Sequence, residues 1–396
     1  MKVKTIHPFP ARMAPDLALV ALGDLAEGSI VLDPMMGSGT VVRQALEFGH
    51  DALGYDFDPL AVLMTKTWTT EVADADIDAM FGEVMNEVAS LGETVPVLDW
   101  QCGKETAGFV EFWFHDAQRG DLARIASVLC RLDSLPLAPE RRAALDVLRV
   151  AFSRIIITKE QCASLARDTS HSRPHRVATV SDYKVLPNFD RSVAQLRKRL
   201  AEHPPKGSAR VSRGDARALV LDAESVDAVI TSPPYLNAID YMRGHRMSLV
   251  WLGHSIPSLR EVRSNSIGAE RAADAHERHT DVELVLAAMR GVDALDRRLE
   301  GIMTRYALDL IHATSEIARV LKPGGRSTFV VGNSCIKGKF IDNAGGVSVA
   351  AGIAGMSVVN SRERDLPNAS RYLPVSGDSL SKRMRTEVVL VCRKPD

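Results

Sequence analysis

The chain has 396 residues, of which 45% are hydrophobic and 25% charged, the proportions of an ordinary globular protein. Lys and Arg number 49 against 50 Asp and Glu, so the formal net charge of −1 excludes a uniformly basic nucleic-acid coat protein, although not a local basic face. No apolar run reaches the roughly 18 residues of a membrane span. The first residues lack the apolar core of a signal peptide, so we expect a cytoplasmic protein.

Residues 28–62 alternate short apolar runs with glycine turns. SIVLD at 29–33 predicts a buried strand, residues 37–49 predict a turn and a helix, and DALGYD at 51–56 predicts a second strand. Short connections between such elements are typical of a parallel sheet.

Residues 65–205 interrupt this rhythm. Helical periodicity at 122–132, 141–157 and 190–200 predicts a mostly helical insertion, which we place at 67–207. Its first part is acidic, with eleven Asp or Glu and one Lys from 68 to 118. Its second part is basic, with eight Lys or Arg against two acids from 191 to 217.

The α/β rhythm returns in residues 208–396. We predict a strand followed by a loop at 209–219 and again at 225–235, a helix at 300–320 that ends at the KPGG of 322–325, and a strand at 326–334. The segments 357–366 and 386–394 predict a closing pair of strands. The polar, charged stretch 253–298 predicts a surface excursion that is partly helical.

The first segment with chemical content is VLDPMMGSGT at 31–40. Glycines between a strand and a helix let the backbone approach a ligand closely, and the helix N-terminus offers N–H groups to a negative group. A plain strand-to-helix turn explains the segment alone equally well. The candidate ligand-binding residues are Asp33, Pro34, Met35, Gly37, Ser38, Gly39 and Thr40.

The second segment is GYDFDP at 54–59. Asp56 ends the second predicted strand, about twenty residues after the glycine motif, where an acid suits the hydroxyls of a ribose. Phe57 follows it as a candidate contact. The third glycine of a dinucleotide motif is absent, which favours an adenosyl ligand without a pyrophosphate. The alternative is a solvated aspartate at a strand end.

The third segment is TSPPY at 231–235. Two prolines after a strand make a rigid loop without backbone N–H groups, while the Ser232 hydroxyl and the proline carbonyls can accept hydrogen bonds. Tyr235 adds an aromatic face. Together these residues suit the binding of a planar group that carries an exocyclic amine.

In this order, DPMMGSGT, GYDFDP, GDARAL and TSPPY resemble the motifs of the S-adenosylmethionine-dependent amino-methylating DNA methyltransferases. The resemblance covers residues 1–66 and 208–396. It implies an α/β fold, a Rossmann-like class I methyltransferase sheet with helices on both faces, interrupted by the helical insertion. It also implies S-adenosylmethionine as cofactor and double-stranded DNA as partner.

The resemblance implies roles for individual positions. The leader HPFPARMAP, with Phe9 and Pro10, would help to close the cofactor pocket, and Asp33 to Gly39 would wrap the methionine part. Asp56 would bind the ribose, and Asp215 with Ala216 would lie near the adenine. The catalytic pocket for the target amine would be Ser232, Pro233, Pro234 and Tyr235. A serine before the double proline favours cytosine N4 over adenine N6. Carbon-5 methylation is not indicated because the chain has no Pro-Cys pair.

The insertion departs from the family pattern, since most members place their recognition region elsewhere. From 154 to 217 there are fourteen Lys or Arg and six acids, so we predict that this segment binds DNA phosphates. The candidate contacts are Arg173, His175, Arg176, Arg197 and Lys198. The alternative is that the basic half pairs with the acidic half. The five cysteines are widely spaced without a CxxC pair, and we expect no metal site.

Two other functions remain open. An RNA methyltransferase of the tRNA type shares the DPMxGSGT and PPY motifs, but such enzymes usually carry an added N-terminal domain for which we expect no room here. A DNA-binding relative with an inactive site is the other alternative, and the intact motifs argue against it. The sequence leaves open the recognition site, the oligomeric state and any restriction or phage-defence partner.

Overall fold

The computed structural model describes residues 4–8, 13, 15–167, 174–234, 236, 241–269, 279–289, 297–336, 339–365 and 386–396. The strands are β1 Ile30–Asp33, β2 Asp51–Asp56, β3 Ala166–Arg167, β4 His175–Arg176, β5 Ala209–Arg213, β6 Val226–Thr231, β7 Leu321–Gly332, β8 Ser334–Ile336, β9 Lys339–Ile341, β10 Ser357–Asp365 and β11 Thr386–Arg393. The helices are α1 Pro15–Gly23, α2 Thr40–Glu47, α3 Pro59–Thr69, α4 Asp74–Ser90, α5 Lys104–Trp113, α6 Asp116–Asp133, α7 Pro139–Ile156, α8 Val185–Glu202, α9 Tyr241–Leu249, α10 Ile256–Asn265, α11 Thr280–Met289, α12 Arg297–Val320 and α13 Asn343–Ile353, with one 3₁₀ turn at Asp99–Gln101.

Seven strands form the central sheet in the order β5-β2-β1-β6-β7-β11-β10. The first five of these are mutually parallel, and β11 lies antiparallel to both β7 and β10. From β1 the chain proceeds outward to β2 and β5 on one side, whereas β6 and β7 lie on the other. The strand order therefore reverses between β1 and β6, and the crevice at the carboxyl ends of these two strands is where open α/β sheets bind ligands.

Both faces of the sheet are buried along its central strands β1 and β6, as is typical of parallel strands. Successive side chains of a strand point to opposite faces. On one face Leu32 and Val229 belong to a single core with residues of α11, α12 and α13. Their neighbours Val31 and Ile230 are also buried, on the opposite face. The predicted α/β class is thus confirmed.

The predicted elements of the sheet are confirmed with small changes at their ends. β1, α2 and β2 fall within 29–56 as predicted, and the predicted closing pair is β10 with β11. The predicted helix that ends before KPGG is α12, but β7 already begins at Leu321, ahead of the glycine pair. The three periodic segments of the insertion lie in α6, α7 and α8.

The prediction that 253–298 is a surface excursion is wrong for α11. This helix buries Val282, Val285, Leu286 and Met289, and all four belong to the core of the sheet. Their spacing of three, one and three residues places them on one helix face. The charged residues on either side of the helix outweighed this short apolar stripe in the sequence. Residues 270–278 and 290–296 of the same stretch lie outside the described part of the chain.

Two compact units account for the chain. The sheet unit comprises residues 11–57, 206–238 and 263–396, and the helical unit comprises 1–10, 58–205 and 239–262. In the helical unit α7 packs against α3, α4, α6 and α8, and twelve of its residues are buried. The sequence places 58–66 and 239–262 with the sheet, whereas these residues contact the helical unit most. None of the helices in the described ranges has the length and apolarity that crossing a membrane would take.

Candidate functional site

The carboxyl ends of β1 and β6 meet at the point where the strand order reverses. The hydroxyl of Thr231, the last residue of β6, donates to Oδ1 of Asp33, the last residue of β1, over 2.7 Å. The backbone N–H of Met35 donates to the same oxygen at 3.2 Å. Burial, which outweighs the two hydrogen bonds and is reinforced by the charge of Asp56, raises the pKa of Asp33 to about 7. The site is thus built around a carboxyl group that titrates near neutrality.

The glycine motif forms the turn between β1 and α2. Gly37 and Gly39 adopt φ values of 49° and 77°, a conformation that side chains with a Cβ rarely take. Gly39 occupies the N-cap position of α2, and no side chain caps this helix. The turn therefore presents the end of a helix dipole in a form that suits a negatively charged group.

The turn lies directly on β2. The backbone N–H of Met36 donates to the carbonyl of Tyr55 at 3.0 Å. Gly54 makes this approach feasible, because a Cβ at this position would lie 2.5 Å from Sδ of Met36 and 2.9 Å from Cγ2 of Val42. The missing side chain on β2 is therefore what lets the turn and α2 settle against the strand.

Asp56 ends β2 beside this turn. Its Oδ2 accepts the backbone N–H of Gly37 at 2.8 Å, and its carbonyl accepts the N–H of Gly214 at 3.1 Å. Phe57 is half-buried, and the guanidinium of Arg213 lies 5.4 Å from the centre of its ring. Asp56 thus ties the glycine turn to the loop that carries Asp215.

Asp215 lies in the loop after β5 and is paired with Arg217. Nε of Arg217 donates to Oδ1 of Asp215 at 2.9 Å and Nη2 donates to Oδ2 at 2.7 Å. Burial opposes ionisation of Asp215, but the bonds from Arg217 outweigh it and hold the pKa of this carboxyl below its ordinary value. Ala216, between the two residues, is buried. At this edge of the sheet, Asp215 therefore stays charged, whereas Asp33 titrates near neutrality.

The predicted amine pocket follows Thr231 directly. The hydroxyl of Ser232 donates to the carbonyl of Val330 on the neighbouring β7 at 2.9 Å. Its only proton is used in this bond, so its oxygen faces other groups as an acceptor. Pro233 is buried and Pro234 half-buried, and neither has a backbone N–H. The described part of the loop thus offers acceptors.

Four of the predicted site residues lie outside the described residues: Phe9, Pro10, Arg173 and Tyr235. The remaining candidates of the sheet unit are brought together at its carboxyl edge. Of these, Pro34, Ser38 and Thr40 are buried within the turn, and the hydroxyls of Ser38 and Thr40 lie 3.1 Å apart.

Some basic residues of the insertion are bound to other groups of the protein. In the helical unit, Nε of Arg197 donates to Asp74 at 2.8 Å, and the same guanidinium also binds Asp78. Its predicted DNA contact gives way to ion pairs within the protein. Arg199 donates to the carbonyl of Thr5 at 2.9 Å, and Arg154 donates to that of Ile6. These two arginines hold the N-terminal segment.

The acidic helix α4 also pairs with arginines of two further helices. Besides Asp74 and Asp78, Glu83 binds Arg141 of α7 at 2.7 Å and Glu87 binds Arg131 of α6 at 2.6 Å. Of these bonds, those of Arg197 join the acidic and basic halves of the insertion, as in the alternative, whereas Arg131 and Arg141 lie between the two halves. The charge of Arg197 is therefore neutralised within the helical unit.

Three predicted contacts remain exposed. His175 and Arg176 lie on β4, which pairs with β3, and Lys198 lies on α8. The guanidinium of Arg176 lies 4.9 Å from the ring centre of Phe112, whose side chain is 49% exposed. A cation beside an exposed aromatic ring is a surface that suits nucleic acid.

Sequence reasoning missed three residues of the sheet unit that shape the site: Thr231, Gly54 and Arg217. Thr231 precedes the SPPY loop, where a hydroxyl at a strand end is a usable signal for a neighbouring carboxyl. Gly54 lies inside a strand, and glycine there often marks a close approach of backbone. For Arg217 the only signal was its position two residues after Asp215.

No protein-family model matches the chain. The Type II methyltransferase M.BsoBI of Geobacillus stearothermophilus is 22% identical in an alignment 367 residues long that covers 80% of this chain and 71% of that protein. The Type II methyltransferase M.MvaI of Kocuria varians is 21% identical in an alignment 372 residues long that covers 84% of this chain and 77% of that protein. Among solved structures, a SAM-dependent methyltransferase from Methanosarcina mazei covers 97% of this chain and 99% of its own at 9% identity, with a TM-score of 0.34 that is too low to support an argument.

Proposed function

We propose that the chain is a DNA methyltransferase that moves a methyl group from S-adenosylmethionine to the exocyclic amine of a flipped base, with cytosine N4 favoured over adenine N6. The observation that carries the proposal is the arrangement at the end of β6. There Thr231 donates a hydrogen bond to Asp33, and the loop continues with Ser232 and two prolines. The Ser232 hydroxyl donates its hydrogen bond to the carbonyl of Val330, and the prolines have no N–H groups. Such a loop can receive an amine but offers little to a carbonyl.

The residues present fit an adenosyl cofactor. Gly37 and Gly39 bring the backbone of the turn to the N-terminus of α2 without a Cβ, where it can approach a ligand closely, and Gly54 lets this turn pack on β2. Asp56 and Asp215 follow adjacent strands, so carboxylate acceptors lie where a ribose and an adenine amine would need them. Asp33 to Thr40 would hold the methionine part, with Asp56 and Phe57 at the ribose and Asp215 and Ala216 at the adenine. When bound, S-adenosylmethionine supplies an electrophilic methyl group.

The protein's own part in the reaction is to bind and orient the amine. An aromatic amine shares its lone pair with the ring and is a weak nucleophile. Acceptors at both N–H groups, the Ser232 hydroxyl and the Pro233 carbonyl, would favour a tetrahedral nitrogen with an available lone pair. Orienting that nitrogen toward the group it attacks would be the loop's other contribution to the rate. No cysteine nucleophile takes part in this scheme.

The DNA assignment rests on the relatives and on the helical unit. Two relatives that match over about four fifths of the chain are Type II methyltransferases. We assign phosphate contacts to His175, Arg176 and Lys198, which are exposed, and we do not assign one to Arg197. The preference for cytosine rests on the resemblance alone, through the serine that precedes the double proline.

The test is mass spectrometry of nucleosides from the DNA and RNA of cells that express the chain. We expect N4-methylcytosine in DNA. N6-methyladenine would correct the base, methylguanosine in RNA would replace the proposal by an RNA methyltransferase, and no modified nucleoside would favour an inactive relative. Ser232→Ala should lower the yield, whereas Ser225→Ala should not, because the Ser225 hydroxyl bonds only to the Asp222 carbonyl at the start of β6.

A further inference from the structure

Arg217 lies at the centre of an ion-pair network in the sheet unit. Besides its two bonds to Asp215, its Nη1 donates to Oδ1 of Asp309 at 2.6 Å and its Nη2 donates to the carbonyl of Asn265 at 2.5 Å. Asp309 lies on α12 and its side chain is 2% exposed. Arg305, one turn earlier on α12, donates to the same Asp309 oxygen at 3.2 Å. One guanidinium thus fastens the Asp215 loop to a buried point on a long helix.

The network leaves one direction of the Asp215 carboxylate open. Oδ1 accepts both the backbone N–H of Arg217, at 2.9 Å, and its Nε. Oδ2 accepts Nη2 at 2.7 Å and only a longer contact from Nε, at 3.2 Å. Both contacts of Oδ2 come from the guanidinium, with Nε shared between the two oxygens, so the side of Oδ2 that faces away from Arg217 retains an acceptor position. The side chain of Asp215 is 28% exposed, which leaves this oxygen within reach of a ligand.

We propose that Arg217 is a positioning residue that fixes the orientation of Asp215, so that Oδ2 selects a ligand bearing an exocyclic amine over one bearing an oxo group. This inference rests on the proposed function, since it names the means by which the same site would recognise adenine. The planar guanidinium defines the plane of the carboxylate through two parallel bonds, whereas a lysine would provide a point charge without direction. Asp309 and Asn265 in turn keep the guanidinium from rotating.

The chemical consequence is selectivity for the purine. A fixed carboxylate accepts a hydrogen bond from the N–H of a 6-amino group. It repels the oxygen of a 6-oxo group, and no hydrogen bond then forms between the carboxylate and the ligand. Sites built to bind a hydrogen-bond donor reject the analogue that lacks it far more strongly than apolar pockets reject a change of shape.

The same loop provides a matched control. Arg319 of α12 binds Glu316 at 2.7 Å and donates to the carbonyls of Leu219 and Leu221 at 3.0 Å and 2.8 Å. It fastens the other end of the Asp215 loop to the same helix, but contacts no predicted site residue. Loss of Arg319 would thus loosen the attachment of the loop to α12, as loss of Arg217 would, but without removing a hydrogen bond of Asp215.

The experiment compares S-adenosylhomocysteine with S-inosylhomocysteine, in which an oxo group replaces the amine, by calorimetric titration of the whole chain. We expect the wild-type protein to prefer the adenosyl compound by about tenfold or more, as for a hydrogen bond to a charged group. Arg217→Met and Arg217→Lys should lose most of this preference, and Asp309→Asn should lose part of it. Arg319→Met should keep the preference even where its melting temperature falls.

Each outcome decides between the two proposals. Wild-type protein that binds neither compound would refute the proposed function. Wild-type protein that binds both equally would leave the function standing and refute the role of Asp215 and Arg217. If Arg217→Met fails to fold, Arg217→Lys and Asp309→Asn decide. If the Arg217 variants bind both compounds more weakly by the same factor, Arg217 contributes to the stability of the protein and not to selectivity.

Discussion

Replacing Asp33 by Asn should remove a pH dependence of stability that originates at the centre of the sheet. The asparagine Oδ1 can still accept the hydroxyl of Thr231 and the N–H of Met35, so both hydrogen bonds survive. The change removes only the ability to ionise. Because the Asp33 side chain is 3% exposed, its charged form is the costly one in the folded protein.

The magnitude follows from the shift in pKa. Burial raises the pKa of Asp33 from 3.8 to about 7 in the folded state. Between these values the folded protein binds a proton that the unfolded chain has released, so the free energy of unfolding falls as pH rises. Three pKa units at about 1.36 kcal/mol each give a total loss of about 4 kcal/mol, complete above pH 7 and absent below pH 4. Asp33→Asn should abolish this loss.

The assay is urea unfolding of the ligand-free protein, followed by circular dichroism at pH 5 and pH 8. Relative to wild type, Asp33→Asn should gain stability from pH 5 to pH 8. Asp227→Asn is the control of opposite sign. Burial opposes its ionisation, but Lys322 and the N–H of Ile30 hold the pKa of Asp227 below its ordinary value, so its carboxylate stabilises at neutral pH. An Asp33→Asn protein with the wild-type dependence on pH would refute the reasoning.

Three further changes test other parts of the structure. Gly54→Ala should cost about 1–3 kcal/mol by overpacking and weaken cofactor binding in calorimetry, whereas Gly352→Ala, where a Cβ would meet nothing within 4 Å, should do neither. Arg197→Ala should lower the melting temperature and leave the salt dependence of DNA binding unchanged, because its partners are internal. Lys198→Ala should reduce the log–log salt slope by about 0.9 and leave the melting temperature unchanged; the reverse pattern would return the DNA contact to Arg197. Asp56→Ala should weaken the binding of S-adenosylmethionine, measured by calorimetry, by about 1–3 kcal/mol, as for a lost hydrogen bond to a charged group. Unchanged affinity would show that Asp56 is not part of the cofactor site.

The sheet and its carboxyl edge could be predicted because their signals are local. An apolar run that ends in an aspartate, followed by glycines, defines β1, the turn and α2 within about twenty residues. The SPPY loop likewise follows its own strand. What the sequence could not show is which side chains meet across the fold. Arg217 finds Asp309 at 92 residues' separation, and nothing in either neighbourhood indicates the other.

The ion pairs of the insertion could not be predicted from the sequence either. Counting correctly identified an acidic and a basic half, but Arg197 lies 123 residues from Asp74, and only the packing of α8 near α4 decides that they pair. The error at α11 has a different cause. Its apolar stripe of four residues is short, and a polarity average taken over 253–298 conceals it.

The salt bridges of α4 mean that the acids of one helix control how much positive charge three other helices of the same unit expose. Three helices present arginines, and one helix neutralises them with two aspartates and two glutamates. Deleting Glu87 or Glu83 would unmask Arg131 or Arg141, which is equivalent to adding a base without altering a basic residue, whereas Arg197 would keep one partner after the loss of either aspartate. We therefore expect substitutions in α4 to act on heparin retention, and adaptation toward tighter polyanion binding could proceed by loss of acids alone.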